Sequence, residues 1–141
     1  MSILEQESFI SSIHPFGSLT INQLALFVEN IDIVYFKENV IVQKQNSEPT
    51  HLYFVLKGLI QEKQEDEVLS LYSKNEIFDS ISLIENYSKN SFVTAEETIC
   101  YILPREIFIK TLHENSTLKN YFFQSISEKI SNNINYENNK E

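Results

Sequence analysis

A mainly β fold flanked by helices is the architecture this chain predicts, and three features predict it. Short runs rich in Val, Ile, Tyr and Phe recur between Ile33 and Leu103, at a spacing suited to a closed or sandwiched β body. Before and after that stretch, apolar residues repeat at helical intervals instead. Between the runs ending at Leu56 and starting at Leu59 stands Gly58, one of 2 glycines in 141 residues. Glycine reaches positive φ without steric cost, so two strands meeting in a tight turn is the simplest reading there.

The elements follow in order. Ile3, Leu4, Phe9, Ile10 and Ile13 predict a first helix over Ile3 to Ile13. Pro15 ends it, because the residue before a proline is pushed out of helical geometry. Thr20 opens a second helix, with Gln23 at capping-box distance and Leu24, Phe27, Val28 and Ile31 as its apolar stripe. Strand-like pieces follow at Ile33 to Phe36, Val40 to Val42, Leu52 to Leu56, Leu59 to Glu62, Val68 to Tyr72, Phe92 to Ala95 and Ile99 to Leu103. The charged run Glu62-Lys-Gln-Glu-Asp-Glu67 reads as a solvated hairpin loop. Pro104 suits the first turn of a helix that carries Ile107, Phe108, Thr111 and Leu112 on one face. A last helix starts near Ser116, where Leu118, Phe122, Ile126, Ile130 and Ile134 recur every four residues. The expected organisation is one domain over 1–135, with N-terminal helices in 1–31, the β body in 32–103 and C-terminal helices in 104–135. Residues 136–141 read as a polar tail or the start of a linker.

Composition narrows the function. With hydrophobic residues at 42% and 10 Phe and 7 Tyr, a packed globule is expected. A net charge of −9 repels phosphate backbones and anionic lipid, so no nucleic-acid partner is expected. Apolar stretches stay well short of the ~20 residues a membrane helix requires, so no membrane partner is expected either. Cys100 is the sole cysteine, which excludes an internal disulfide and fits a reducing, cytoplasmic location. His14, His51 and His113 lack metal-ligand spacing, and no nucleophile motif or glycine-rich phosphate loop occurs. The chain is read as a non-enzyme without a cofactor. A cation held by Asp79 and Glu76 is a minor reading.

Four segments give the chain a family likeness: Tyr53 to Gly58, Glu76-Ile-Phe78, Val93-Thr-Ala95, and Leu103-Pro104 leading to Phe108. Over Phe9 to Phe123 the sequence resembles the cyclic-nucleotide-binding domain family. The resemblance implies a double-stranded β-helix, a jelly-roll-like β-roll, acting as a regulatory sensor that signals through its C-terminal helices. The opening, Ile13-His-Pro-Phe16 ahead of a capped helix, is similar to sensor domains that precede CBS and nucleotidyltransferase domains in bacterial signalling proteins. Those output domains are the partners it implies. Where the family usually carries glycine, this chain has Asn39, Asn46, Asn75 and Asp79, the residue types that best tolerate left-handed backbone geometry after glycine.

The resemblance also places a ligand cassette at Asp79, Ser80, Ile81, Ser82, Lys89, Asn90 and Ser91. In the family a Glu holds the ribose and an Arg clamps the cyclic phosphate. Ser80 occupies the Glu position here and Lys89 the Arg position, and a Lys cannot form the planar fork that grips two phosphate oxygens. A small anionic or nucleotide ligand is implied, with cyclic AMP and cyclic GMP disfavoured. The rival readings are a ligand-free dimerisation or interaction module of the same fold and, more remotely, a cupin-type β-roll enzyme.

The apolar stripe from Leu118 to Ile134 is longer than a β body needs for its cover, so a homodimer through the C-terminal helix is expected. Sedimentation should show a dimer that Ile130→Lys dissociates while circular dichroism stays β-rich. A monomer at high concentration, unchanged by that substitution, rules the dimer out.

Overall fold

The computed structural model describes residues 2–124. Helix α1 (Ile3–Ser12) is capped by the Ser2 hydroxyl, which accepts from the Glu5 amide at 3.1 Å. Helix α2 (Ile21–Asn30) carries the expected capping box, with both Thr20 and Gln23 side chains engaged. Eight strands follow: β1 (Asp32–Phe36), β2 (Ile41–Gln43), β3 (His51–Lys57), β4 (Ile60–Gln64), β5 (Glu67–Tyr72), β6 (Ile77–Phe78), β7 (Ser91–Thr94) and β8 (Thr98–Pro104). Helix α3 (Ser80–Glu85) interrupts them between β6 and β7, and α4 (Arg105–Glu114) closes the body. Residues 116–124 are again helical, and the Asn115 carboxamide oxygen accepts from the Leu118 amide at 3.0 Å to cap that turn. Ile126, Ile130, Ile134 and the 136–141 tail lie outside the described residues.

The strands form two antiparallel four-stranded sheets, in the orders β1-β8-β3-β6 and β2-β7-β4-β5. This is the β-roll with flanking helices that the sequence predicts. One local expectation needs correction. The strands on either side of Gly58 do meet at the glycine, but they do not pair: β3 belongs to the first sheet and β4 to the second. Gly58 is a corner between sheets. Its φ is +112°, and a Cβ there would lie 2.6 Å from the Glu97 carbonyl oxygen and 2.4 Å from Thr98 Oγ1, closer than side chains approach. Leu59 N donates to Thr98 Oγ1 at 3.3 Å, which clasps the corner to the start of β8. The hairpin proper is β4–β5, turning at Glu65, whose φ is 55°.

Left-handed backbone appears at all four positions that the missing glycines singled out: Asn39, Asn46, Asn75 and Asp79 have φ of 62°, 65°, 72° and 68°. Their short polar side chains carry the turns that glycine would otherwise serve. Glu65 and Asn86 join them unforeseen.

Strand alternation builds two cores. On the outer face of the first sheet, Leu52, Phe54, Tyr101 and Leu103 pack with Ile10, Phe16, Phe27, Phe108 and Phe122 from the helices. On the inner face, Tyr53, Val55 and Cys100 meet Ile60 and Phe92 from the second sheet, with Phe78 beside them. Ile3 and Leu4, read as part of the first helix's apolar set, are exposed at the start of α1, while Ile10 and Ile13 are buried.

The inner core makes the fold sensitive to alkali. Burial pushes the Cys100 thiol from 9.0 up to about 12. Burial, helped by the negative charge of Asp79, pushes the Tyr53 phenol from 10.0 up to about 12. Both groups bind their protons more tightly folded than unfolded, so the stability they lend is complete below pH 9 and is lost as pH rises from 9 towards 12. Each unit of difference is worth about 1.4 kcal/mol. The urea midpoint is expected to fall from pH 9 upward, and Cys100→Ala to remove the portion of that fall below pH 10, where Tyr53 is still protonated in both states. A midpoint constant to pH 11 contradicts this.

Candidate functional site

Where β6 leaves the inner core, the chain turns through Asp79 into the short helix α3, and this turn forms one wall of a cleft of about 540 Å³. The opposite wall comes from β4 and β5 of the second sheet, through Glu62, Ser70 and Tyr72. Asp79, Ser80, Ile81, Ser82, Lys89 and Asn90 all line it, so the structure brings six of the seven cassette residues together. Ser91 lies elsewhere: its hydroxyl accepts from the Gln45 amide at 3.0 Å and fixes a neighbouring turn.

Rings floor the cleft. Tyr53 stacks on Phe78 with centroids 4.7 Å apart, Phe78 stacks on Phe92 at 5.2 Å, and Tyr72 packs against Phe78 at 5.8 Å. These arise because consecutive strands place alternate residues between the sheets, and aromatic pairs at such separations add to simple burial.

The charges are arranged unusually for a phosphate site. Lys89 has a side chain 73% exposed and pairs at 3.8 Å with Glu85, four residues before it. Asp79 is buried at the left-handed position that opens α3. Glu62 is buried too, at 7% exposure. Its two carboxylate oxygens are engaged separately: Tyr72 Oη donates to Oε1 and Asn90 Nδ2 donates to Oε2, each at 2.7 Å. Burial first, then the hydrogen bond to Glu62, pushes the Tyr72 phenol well above its ordinary range.

Placing Glu62 in a solvated loop is therefore a misreading. Its neighbours Lys63, Glu65 and Asp66 do belong to the hairpin end, but Glu62 lies on β4 two residues after buried Ile60 and so faces the same interior. That alternation is the signal that could have found it. Glu76, by contrast, accepts from the Ser73 amide and hydroxyl at 2.9 and 3.0 Å and does not line the cleft. The three histidines do not converge, with His14 against the Tyr121 ring and His51 beside Thr50. Among the described residues no group of three or more His, Cys, Asp or Glu side chains is placed to hold a metal, and no helix is long and apolar enough to cross a membrane.

The family model of the cyclic nucleotide-binding domain matches residues 33–115, which contain the cleft and all of both sheets but the first residue of β1. The chain belongs to the cyclic nucleotide-binding domain family. Its fold is similar to the sensor domain of the transcriptional regulator DNR from Pseudomonas aeruginosa, with a TM-score of 0.77 and 14% identity over 87% of this chain and 91% of that one. The regulatory domain of Toxoplasma gondii PKA, solved with cAMP, gives a TM-score of 0.77 and 15% identity over 89% of this chain and 50% of that one. A cAMP-bound mutant of the regulatory subunit of a cAMP-independent protein kinase A from Trypanosoma brucei gives 0.71 and 14%, covering 91% and 53%. At these identities the likeness establishes the fold. No curated protein matches the sequence.

Within this cyclic nucleotide-binding domain the Glu62 cluster is a structural unit as well as a cleft wall. Glu62→Leu leaves the Tyr72 hydroxyl and the Asn90 amide without their acceptor and is expected to cost about 2–3 kcal/mol in urea denaturation. Glu62→Gln keeps an acceptor in nearly the same shape and should cost about 1 kcal/mol. Equal losses for the two would show that the hydrogen bonds contribute nothing.

Proposed function

We propose that this domain is a regulatory ligand-sensing module of a bacterial signal-transduction protein whose cassette has lost the groups that clamp a cyclic phosphate. The observation that carries the reading is the charge lining the cleft. Ser80 and Lys89 stand where the family has its Glu and Arg, Lys89 points its charge to solvent and Glu85, and buried Glu62 repels an incoming phosphate.

A route from the cleft to the C-terminal helices supports a regulatory role over catalysis. Arg105, the first residue of α4, donates from Nε to the Leu83 carbonyl at 2.7 Å, tying the end of α3 to the helix that leaves the β-roll. A ligand that shifts α3 therefore acts on α4 through one short contact and shared core packing at Leu83. The domain spans 1–135 in this reading, acts in the cytoplasm without a cofactor, and addresses CBS and nucleotidyltransferase domains beyond it.

Losing one charge-assisted contact to a phosphate costs ~2–3 kcal/mol, so losing two moves a micromolar ligand towards millimolar affinity. Calorimetry is expected to find neither cyclic AMP nor cyclic GMP binding at micromolar concentration. Micromolar affinity for either defeats the lost-clamp reading.

A further inference from the structure

We propose that the cleft takes a small organic cation, an alkyl- or arylammonium, with its charge on Glu62 and its carbon skeleton against the rings of Tyr72, Phe78 and Phe92. The inference rests on the reading of the domain as a ligand sensor and names the chemical class of the ligand.

Three independent features of the cleft point to this class. The first is a preorganised carboxylate. Glu62 is buried and held by Tyr72 and Asn90, one donor to each oxygen at 2.7 Å. A carboxylate has about four acceptor sites, so two remain for a ligand N–H, and the group need not rearrange to use them.

The second is the wall opposite the charge. Phe78 and Phe92 stack at 5.2 Å and Tyr72 leans on both, at 5.8 and 6.2 Å, so rings and carboxylate line the same cleft. Stacked on Tyr53 and on one another, Phe78 and Phe92 give the cleft an apolar wall for the carbon skeleton.

The third is the balance of charge. The lining sets the carboxylates of Glu62 and Glu85 against the single ammonium of Lys89, which is largely in solvent and already paired with Glu85. A chain of net charge −9 deepens the negative potential in such a concavity. An anion entering here meets like charge at Glu62. A cation neutralises it.

The test uses phenethylammonium and its near-isosteric neutral counterpart, phenethyl alcohol, with cyclic AMP as the phosphate probe, followed by calorimetry and by amide chemical shifts on the purified protein. The ammonium probe is expected to shift amides around Ser80 and Asn90 and to bind about tenfold more tightly than the alcohol, with the preference shrinking as salt is added. Glu62→Gln is expected to cut ammonium binding about tenfold while leaving the alcohol almost unchanged. Should that variant lose its fold by circular dichroism, the ammonium-over-alcohol preference of the unaltered protein and its salt dependence carry the test. Equal affinity for ammonium and alcohol, or no effect of the substitution, overturns the cationic class and leaves a ligand sensor of another specificity. Tighter binding of cyclic AMP overturns both this inference and the lost-clamp reading. Cleft amides that respond to none of the probes overturn the ligand-sensing reading itself, and this inference with it.

Discussion

Strand β3 is buried along most of its length on both faces, and its antiparallel pairing with β8 is the constraint on which the rest of the molecule depends. Leu52 and Phe54 point to the helices with Tyr101 and Leu103, while Tyr53 and Val55 point between the sheets with Cys100. A one-residue slip in this register would exchange the two sets and ruin both cores together, so the pairing is strongly specified. The helices cover one face and the second sheet covers the other. Neither layer has an alternative place to bury its apolar side.

Function is attached to the inner face of that pair. Tyr53 on β3 stacks with Phe78 on β6, and the ring sequence continues through Phe92 on β7 and Tyr72 on β5, so the cleft floor is a direct extension of the inner core. Glu62 reaches the same space because β4 alternates, and its carboxylate is kept in place by hydrogen bonds from Tyr72 at the end of β5 and Asn90 just before β7. The cleft is thus shaped by packing and charged by strand parity. Arg105 then links its far wall to α4.

Much of this was legible in the sequence, for identifiable reasons. The Thr20–Gln23 box, the β8-to-α4 transition at Pro104 and the left-handed turns at Asn39, Asn46, Asn75 and Asp79 are local features, and local chemistry decides them. Gly58 was legible as a sharp turn but not as a corner between sheets, because the choice depends on Glu97 and Thr98, which lie far along the chain. Strand β6 has only two residues, too few for a periodic signal, and is marked only by the family likeness of its Glu76-Ile-Phe78 run. Glu62 was hidden by its charged neighbours: composition spoke for a loop, and parity with Ile60 spoke for the interior. The solvent-facing posture of Lys89 was not legible at all, since it depends on α3 ending at Glu85, with left-handed Asn86 turning the chain before Lys89.

Native-state hydrogen exchange tests the central claim most directly, because it reads the free energy of opening residue by residue. If the β3–β8 pair carries both cores, the amides of Phe54, Cys100 and Tyr101 exchange only through global unfolding, with the free energy found by urea denaturation. The β4–β5 hairpin and α1 should open earlier. Exchange of the β3 and β8 amides through a partial opening, at lower free energy than those of β4, would contradict the account.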